Sequence, residues 1–216
     1  IHISVSTQAE LIKTAPVMLE LERRHIKYRY IDPGQHAAAT ATLRRSFGIR
    51  EPDFYLSRGG DVASLPSAFL WLCKMFWLLF FCRRTLKKNV FTGGGLCLIH
   101  GDTVSTLISL IMAKAAGLKV AHIEAGLRSF NIWHPFPEEI VRIYCMRRAD
   151  ILFAPSAKAR ENLEQMKVKG EIIDVGGNTI VDALRMVENA ESNVDVPTEA
   201  FALATCHRFE TITRKE

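Results

Sequence analysis

Short apolar runs rich in β-branched residues alternate with longer stretches of helical periodicity along nearly the whole chain. The strand-like runs are IHISV (1–5), IKYRYI (26–31), LCLIH (96–100), KVAHI (119–123), DILFA (150–154), EIIDV (171–175) and FALAT (201–205). Helical patterns fill 103–117, 137–149, 156–166 and 178–190. Another helical stretch follows the first run, with Leu11, Ala15, Met18 and Leu19 on one face, and Pro16 is expected to kink or restart it. Strand–helix alternation on this scale requires right-handed crossovers and a largely parallel sheet with both faces covered. The expected fold class is therefore α/β, a Rossmann-like parallel sheet with helices on both faces. Residues 1–190 form that domain, and 191–216 read as a linker (Glu191 to Thr198) and the first strand toward something further.

Composition excludes several classes. The chain has 216 residues, 48% hydrophobic and 24% charged, which describes a globular protein rather than a disordered or fibrous one. The net charge is only +5, and the basic residues come as scattered pairs such as Arg23-Arg24, Arg44-Arg45 and Arg147-Arg148. Pairs of this kind complement helix C-termini, and no aromatic ladder accompanies them, so no nucleic acid is expected as partner. The cysteines at 73, 82, 97, 145 and 206 form no C-x-x-C pair or even framework and read as buried, reduced thiols of a cytoplasmic protein. The chain opens on a strand and no signal peptide is expected. Residues 65–82, LPSAFLWLCKMFWLLFFC, require a membrane check. Lys74 and Pro66 argue against a span, and a buried helix of the α/β domain is the first reading. A helix lying on a membrane surface is the second, with Arg83, Arg84, Lys87 and Lys88 at the headgroups, giving a peripheral contact through 65–88.

In an open parallel sheet, ligands sit outside the carboxyl ends of the strands, and polar side chains collect at those ends here. Ser6, Thr7 and Gln8 follow the first run, Gln35 and His36 the second, Gly101, Asp102 and Thr103 the LCLIH run, Glu124 the KVAHI run, and His207 and Arg208 the last. Each has an ordinary reading. Asp102 can cap the following helix, and Glu138 and Glu139, after Pro137, suit the first turn of another. Glu124 is different, because nothing in strand propensity places a carboxylate there. Gly93-Gly94-Gly95 precedes a strand and so is no dinucleotide fingerprint. His122-Ile123-Glu124 imitates half of a zinc-deaminase motif but lacks the cysteines. His122 and His134 have no recognised metal-ligand spacing.

The combination of HGDT (100–103), HIEAGLRS (122–129), PFPEE (135–139) with Arg142, FAPS (153–156), GGNTIVDAL (176–184) and TCHRFE (205–210) resembles the non-hydrolysing UDP-N-acetylglucosamine 2-epimerases, in order and spacing, from near residue 1 to about 210. The resemblance implies the N-terminal half of a glycosyltransferase-B-like fold, with the active site in an interdomain cleft and the C-terminal domain missing. It implies UDP-N-acetylglucosamine and UDP as ligands, no cofactor, a homodimer for which the aromatic helix at 69–81 offers a surface, and a role in polysaccharide biosynthesis. The reaction it implies removes the C2 proton as UDP leaves C1, then readds UDP with inversion at C2. By the same resemblance Asp102, Glu124 and Glu138 are the acid–base and sugar-positioning carboxylates, and His207 is catalytic. Substrate binding falls to Gln8, Lys13, Gln35, His36, Arg128 and Arg208. A water-poor cleft holding several carboxylates would spread their pKa values, separating acid from base.

The chain departs from the family pattern at its start. Where the family has G-T-R-P-E, this sequence has Ser6-Thr7-Gln8-Ala9-Glu10, so Gln8 replaces a cation; Phe209 and Thr211 are further departures. The chain alone is expected not to epimerise. The rival readings are a glycosyltransferase-B-type transferase at a membrane surface and a non-catalytic truncated homologue.

Overall fold

A computed structural model describes the chain except residues 59–60, 63, 189–197 and 203–216. The elements run β1 (His2–Ser4), α1 (Gln8–Arg23), β2 (Arg29–Asp32), α2 (Ala37–Phe47), β3 (Phe54–Tyr55) and α3 (Leu65–Phe81). A short α4 (Arg83–Thr85) runs into a π-helical turn, Leu86–Val90. Then come β4 (Leu96–His100), α5 (Val104–Ala116), β5 (Lys119–Ile123), α6 (Glu138–Arg148), β6 (Ile151–Ala154), α7 (Ala157–Gln165), β7 (Glu171–Asp174) and α8 (Thr179–Glu188). The strands form one seven-stranded sheet in the order β3-β2-β1-β4-β5-β6-β7, and every pairing is parallel. The order reverses between β1 and β4, which makes the carboxyl ends of these strands the switch-point crevice.

Local chemistry explains the elements. Thr7 caps α1 in a capping box with Glu10, and Ser156 caps α7. α2 and α5 end on Gly48 and Gly117 in the left-handed region, the conformation glycine adopts without steric cost. The central strands are apolar on both faces: Ile3, Ile31, Ile99, Val120, Ala121 and Leu152 are all buried. One core cluster joins α3, α5 and the π-turn to β4 and β5 through Met75, Phe91, Ile99, Met112 and Val120. A second joins α1 to the other face through Leu11, Met18, Tyr30 and Ile123.

Several sequence expectations need correction. Pro16 does not restart α1, which runs continuously from Gln8 to Arg23 with Pro16 buried inside it. α2 and β3 carried too little periodicity to be read from sequence. The reading of α3 as a buried helix holds for one face only: Trp71 and Met75 are buried, while Phe69, Leu70, Phe76, Trp77, Phe80 and Phe81 are exposed. Cys97 and Cys145 are buried thiols, but Cys73 is exposed and Cys82 half-buried. Among the described residues no single helix is long and apolar enough to cross a membrane; Pro66–Phe81 and Arg83–Val90 pass that test only together, bent by 79°. The strand expected at 201–205 and most of the linker lie outside the described residues.

Candidate active site

The first turn of α1 is tied to the β4–α5 turn by one carboxylate. Glu10 is buried and accepts hydrogen bonds from the Ser6 and Thr7 amides on Oε2, at 2.7 and 3.2 Å. Its Oε1 accepts from the hydroxyls of Thr103, Ser105 (3.3 Å) and Thr106 (3.0 Å). Threonines and serines at a helix start can turn their hydroxyls inward while still capping, so this latch fixes the HGDT segment against β1. Asp102 sits on that fixed turn.

Glu124 ends β5 with a φ of +63°, a left-handed conformation that costs a non-glycine residue about 1–2 kcal/mol. Its carboxylate explains why the conformation persists. Lys13 Nζ lies 2.7 Å from both oxygens, Asn178 Nδ2 donates at 2.5 Å, and His100 Nε2 stands 3.1 Å from Oε2. Burial opposes ionisation of Glu124, yet His100, Lys13 and Asn178 outweigh it and hold the carboxyl at about 2. Groups from α1, β4 and the turn before α8 thus converge on one ionised carboxylate. Behind it His122 is fully buried, its Nε2 2.7 Å from the Gly101 carbonyl, and burial depresses it to about 4, so the ring is neutral near pH 7.

The irregular segment between Glu124 and α6 is closed on itself. Arg128 Nε meets Glu139 Oε1 at 2.5 Å, and the Ser129 amide donates to Oε2 at 3.2 Å. Arg142, one turn along α6, donates to Glu139 Oε2 at 2.9 Å and also binds Asp102. Burial works against the Glu139 charge, but Arg128, Ser129 and Arg142 hold its carboxyl below the ordinary range. Gly126 is required here: its φ is +93°, and a Cβ would stand 2.2 Å from the Ala159 carbonyl oxygen. The rest of the loop presents Phe130, Ile132, Trp133 and Phe136 to solvent, with Trp133 stacked on Phe136.

The residues expected at the site fall into four groups. Asp102, Glu124, Lys13 and Arg128 are brought to the carboxyl ends of β4 and β5 and paired as described, so Lys13 serves Glu124 directly. Gln35 and His36 lie beside β1, their amides bonding the Ser6 hydroxyl and carbonyl at 2.8 and 3.2 Å, while Gln8 is exposed at the start of α1. Glu138 is half-buried, and its Oε2 is buried without a hydrogen-bond partner among the described residues. The ion-paired carboxylate at that end of the loop is its neighbour Glu139. His207 and Arg208 lie outside the described residues. Sequence reasoning gave no role to His100, Arg142 or Asn178. All three stand inside the quoted motifs, but nothing local shows which motif residues face the same carboxylate. Among the described residues no group of three His, Cys, Asp or Glu side chains could hold a metal ion.

Beside Glu124 a cavity of about 600 Å³ opens between the sheet, α1 and α8. Ile123, Phe153 and Val175 supply apolar wall, and Asn178, Asp182 and Arg185 supply polar groups. Its size suits a small-molecule site.

Fold and site together define a doubly wound α/β domain with fixed carboxylates at its strand ends, one half of a glycosyltransferase-B-like architecture. The family model described as UDP-N-acetylglucosamine 2-epimerase matches residues 19–216. A UDP-N-acetylglucosamine 2-epimerase of Campylobacter jejuni is 34% identical, the match covering 85% of this chain and 46% of that protein. One of Bacillus subtilis (strain 168) is 33% identical, over 95% of this chain and 53% of the relative. A crystal structure of a UDP-N-acetylglucosamine 2-epimerase superposes with a TM-score of 0.74 at 30% identity, covering 91% of this chain and 52% of that one. The Neisseria meningitidis enzyme, solved bound to UDP-GlcNAc, gives a TM-score of 0.70 at 28% identity, over 87% of this chain and 50% of that one. This chain belongs to the UDP-N-acetylglucosamine 2-epimerase family, and it spans about half the length of the relatives it matches.

Proposed function

We propose that the chain works as the N-terminal half of a UDP-N-acetylglucosamine 2-epimerase, with residues 1–190 as the domain and 191–216 leading toward a second one. The observation that carries this reading is the convergence of Glu124, with its Lys13, His100 and Asn178 partners, and Asp102, with Arg142, on neighbouring strand ends. Elimination needs a base at C2 and charge stabilisation for the departing diphosphate, in a site whose dipoles are already oriented. The C2 proton passes to a base while the C1–oxygen bond breaks and its electrons leave with UDP. UDP then re-forms the bond to C1, and a proton returns to the opposite face of C2.

Division of labour follows from the pairing. Glu124 is held ionised, so it positions the sugar and shapes the field. Asp102 is committed to Arg142. Glu138, with one buried and unpartnered oxygen, is the carboxylate left to exchange a proton, assisted by His207. Gln8, Gln35, His36 and Arg208 bind the substrate, while Arg128 holds the loop through Glu139. A homodimer acting in the cytoplasm belongs to the same proposal.

The test is incubation with UDP-N-acetylglucosamine in D2O, for this chain and for a longer form that includes a C-terminal domain. Deuterium at C2 with the longer form, and none with the chain alone, is the expected result. No exchange by the longer form refutes the epimerase reading. UDP release that requires an acceptor sugar replaces it with a transferase.

A further inference from the structure

The carboxyl end of β2 holds a buried cluster that the pairings around Glu124 do not involve. Asp32 is fully buried, where an unpaired carboxylate is costly. Its Oδ2 has no hydrogen-bond partner among the described residues, and Arg44 Nη1 lies 3.8 Å from it. Arg44 is itself buried and binds Thr40, Glu51 and Tyr55 at 3.1, 2.9 and 3.1 Å. The use of Asp32 lies in its other oxygen. Oδ1 accepts the Gly34 amide at 2.7 Å and the Ser6 hydroxyl at 3.3 Å. A serine hydroxyl that donates to a carboxylate keeps its lone pairs for another donor, and here the Gln35 amide donates to it at 2.8 Å. The Ser6 carbonyl takes the His36 amide at 3.2 Å, and the Ser6 amide goes to Glu10 at 2.7 Å. One residue of the β1–α1 turn thus fixes two consecutive amides of the β2–α2 turn.

The rest of that turn is committed too. Trp71 Nε1 donates to the Pro33 carbonyl at 3.1 Å, and the Val62 amide to the Gln35 carbonyl at 2.8 Å. At Gly34, with φ +80°, a Cβ would stand 2.1 Å from the Ser57 carbonyl oxygen, so backbone hems the turn in there. What the turn has left to present is the side chains of Gln35 and His36, and Gln35 Oε1 has no hydrogen-bond partner among the described residues. We propose that Ser6 and Asp32 are positioning residues that set Gln35 and His36 for a nucleotide sugar. The proposal rests on the reading of Gln35 and His36 as substrate-binding residues, and Ser6 and Asp32 act through them. Asp32 orients the Ser6 hydroxyl, and Ser6 carries the alignment from one strand end to the next. The family pattern G-T-R-P-E has glycine where this chain has Ser6, and a glycine has no hydroxyl for the Gln35 amide.

Ser6→Ala, Asp32→Ala and Asp32→Asn test it in two ways. The first is amide hydrogen exchange in the chain alone, with the β5 amides of Val120 and Ala121 as the reference for global opening. Ser6→Ala and Asp32→Ala are expected to speed exchange at Gln35 about tenfold beyond that reference. Asp32→Asn keeps an acceptor oxygen for both donors and is expected to retain the wild-type ratio. Exchange at Gln35 that rises no more than at β5 in Ser6→Ala and Asp32→Ala overturns the proposal. The second is the affinity of the longer form, with its C-terminal domain, for UDP-N-acetylglucosamine, read as KM where it turns over and as Kd by titration where it does not. That constant is expected to rise about tenfold in Ser6→Ala and Asp32→Ala and to stay at the wild-type value in Asp32→Asn, with kcat within about twofold throughout. Unchanged affinity beside faster exchange also overturns the proposal, because the turn would then be held for no ligand. A wild type that binds the nucleotide sugar without epimerising it refutes only the epimerase reading, since the affinities still judge the latch. A wild type that binds none overturns both.

Discussion

Replacing Lys13 with methionine removes the cation that touches both oxygens of Glu124 but keeps most of the apolar stem. Glu124 titrates near 2 in the fold against an ordinary value of 4.5. At about 1.4 kcal/mol per pH unit, that difference stabilises the fold by about 3 kcal/mol. Because the folded value is the lower one, this stability is fully present above pH 4.5 and is lost as pH falls from there toward 2. Lys13 supplies a share of it. Its side chain is 27% exposed, so solvent screens part of its charge, and His100 and Asn178 remain in the variant. The expected cost of Lys13→Met at pH 7 is therefore about 1–2 kcal/mol. The Glu124 carboxyl should titrate about one pH unit higher, read by carbon-13 NMR with labelled glutamate, and urea denaturation at pH 7 and pH 3 gives the energies. The gap between wild type and variant should narrow at pH 3. A Glu124 that still titrates near 2 in the variant, with unchanged stability at pH 7, would refute the assignment of Lys13 as its counter-ion.

Gly126→Ala drives a methyl group into the Ala159 carbonyl from a left-handed backbone, so it should destabilise the fold by about 2–4 kcal/mol and lower the denaturation midpoint accordingly. Glu10→Ala removes the acceptor shared by the Ser6 and Thr7 amides and the hydroxyls of Thr103, Ser105 and Thr106, of which Thr106 keeps the His100 carbonyl at 2.7 Å. A loss of about 3 kcal/mol is expected, with faster amide exchange at both turns joined by the latch. Burial raises the Asp32 carboxyl to about 6 from 3.8, against the pull of the Gly34 amide and Arg44. The folded value is the higher one, so this group's contribution falls as pH rises from about 4 to about 6. Stability measured across that window should fall less in Asp32→Asn than in the wild type, and parallel curves would contradict the shift.

The sheet was legible in the sequence because its central strands are buried on both faces and therefore read as unbroken apolar runs. LCLIH and KVAHI match β4 and β5 residue for residue. α2 and β3 were not legible: Ala37–Phe47 mixes small and polar residues without a strong apolar stripe, and β3 is only two residues long. Glu124 was legible as a carboxylate that strand propensity does not explain, and the motif order connected it to Asp102 and Glu138. Their partners were not. Lys13 and Glu124 are 111 residues apart, and Arg142 and Asp102 are 40 apart.

By itself, the sequence determined that a parallel sheet forms, that Asp102 and Glu124 follow its strands while Glu138 and Glu139 start a helix, and that α3 is too apolar for its length. Periodicity and residue type are local properties, and they suffice for those conclusions. Tertiary structure decided which carboxylates are committed and which, among the described residues, keeps an unpartnered oxygen. It paired Glu124 with Lys13, His100 and Asn178, gave Glu139 rather than Glu138 to the two arginines, and turned the aromatic stripe of α3 outward. Each of these depends on which side chains the crossovers bring within about 3 Å of one another, the range over which a hydrogen bond or ion pair forms.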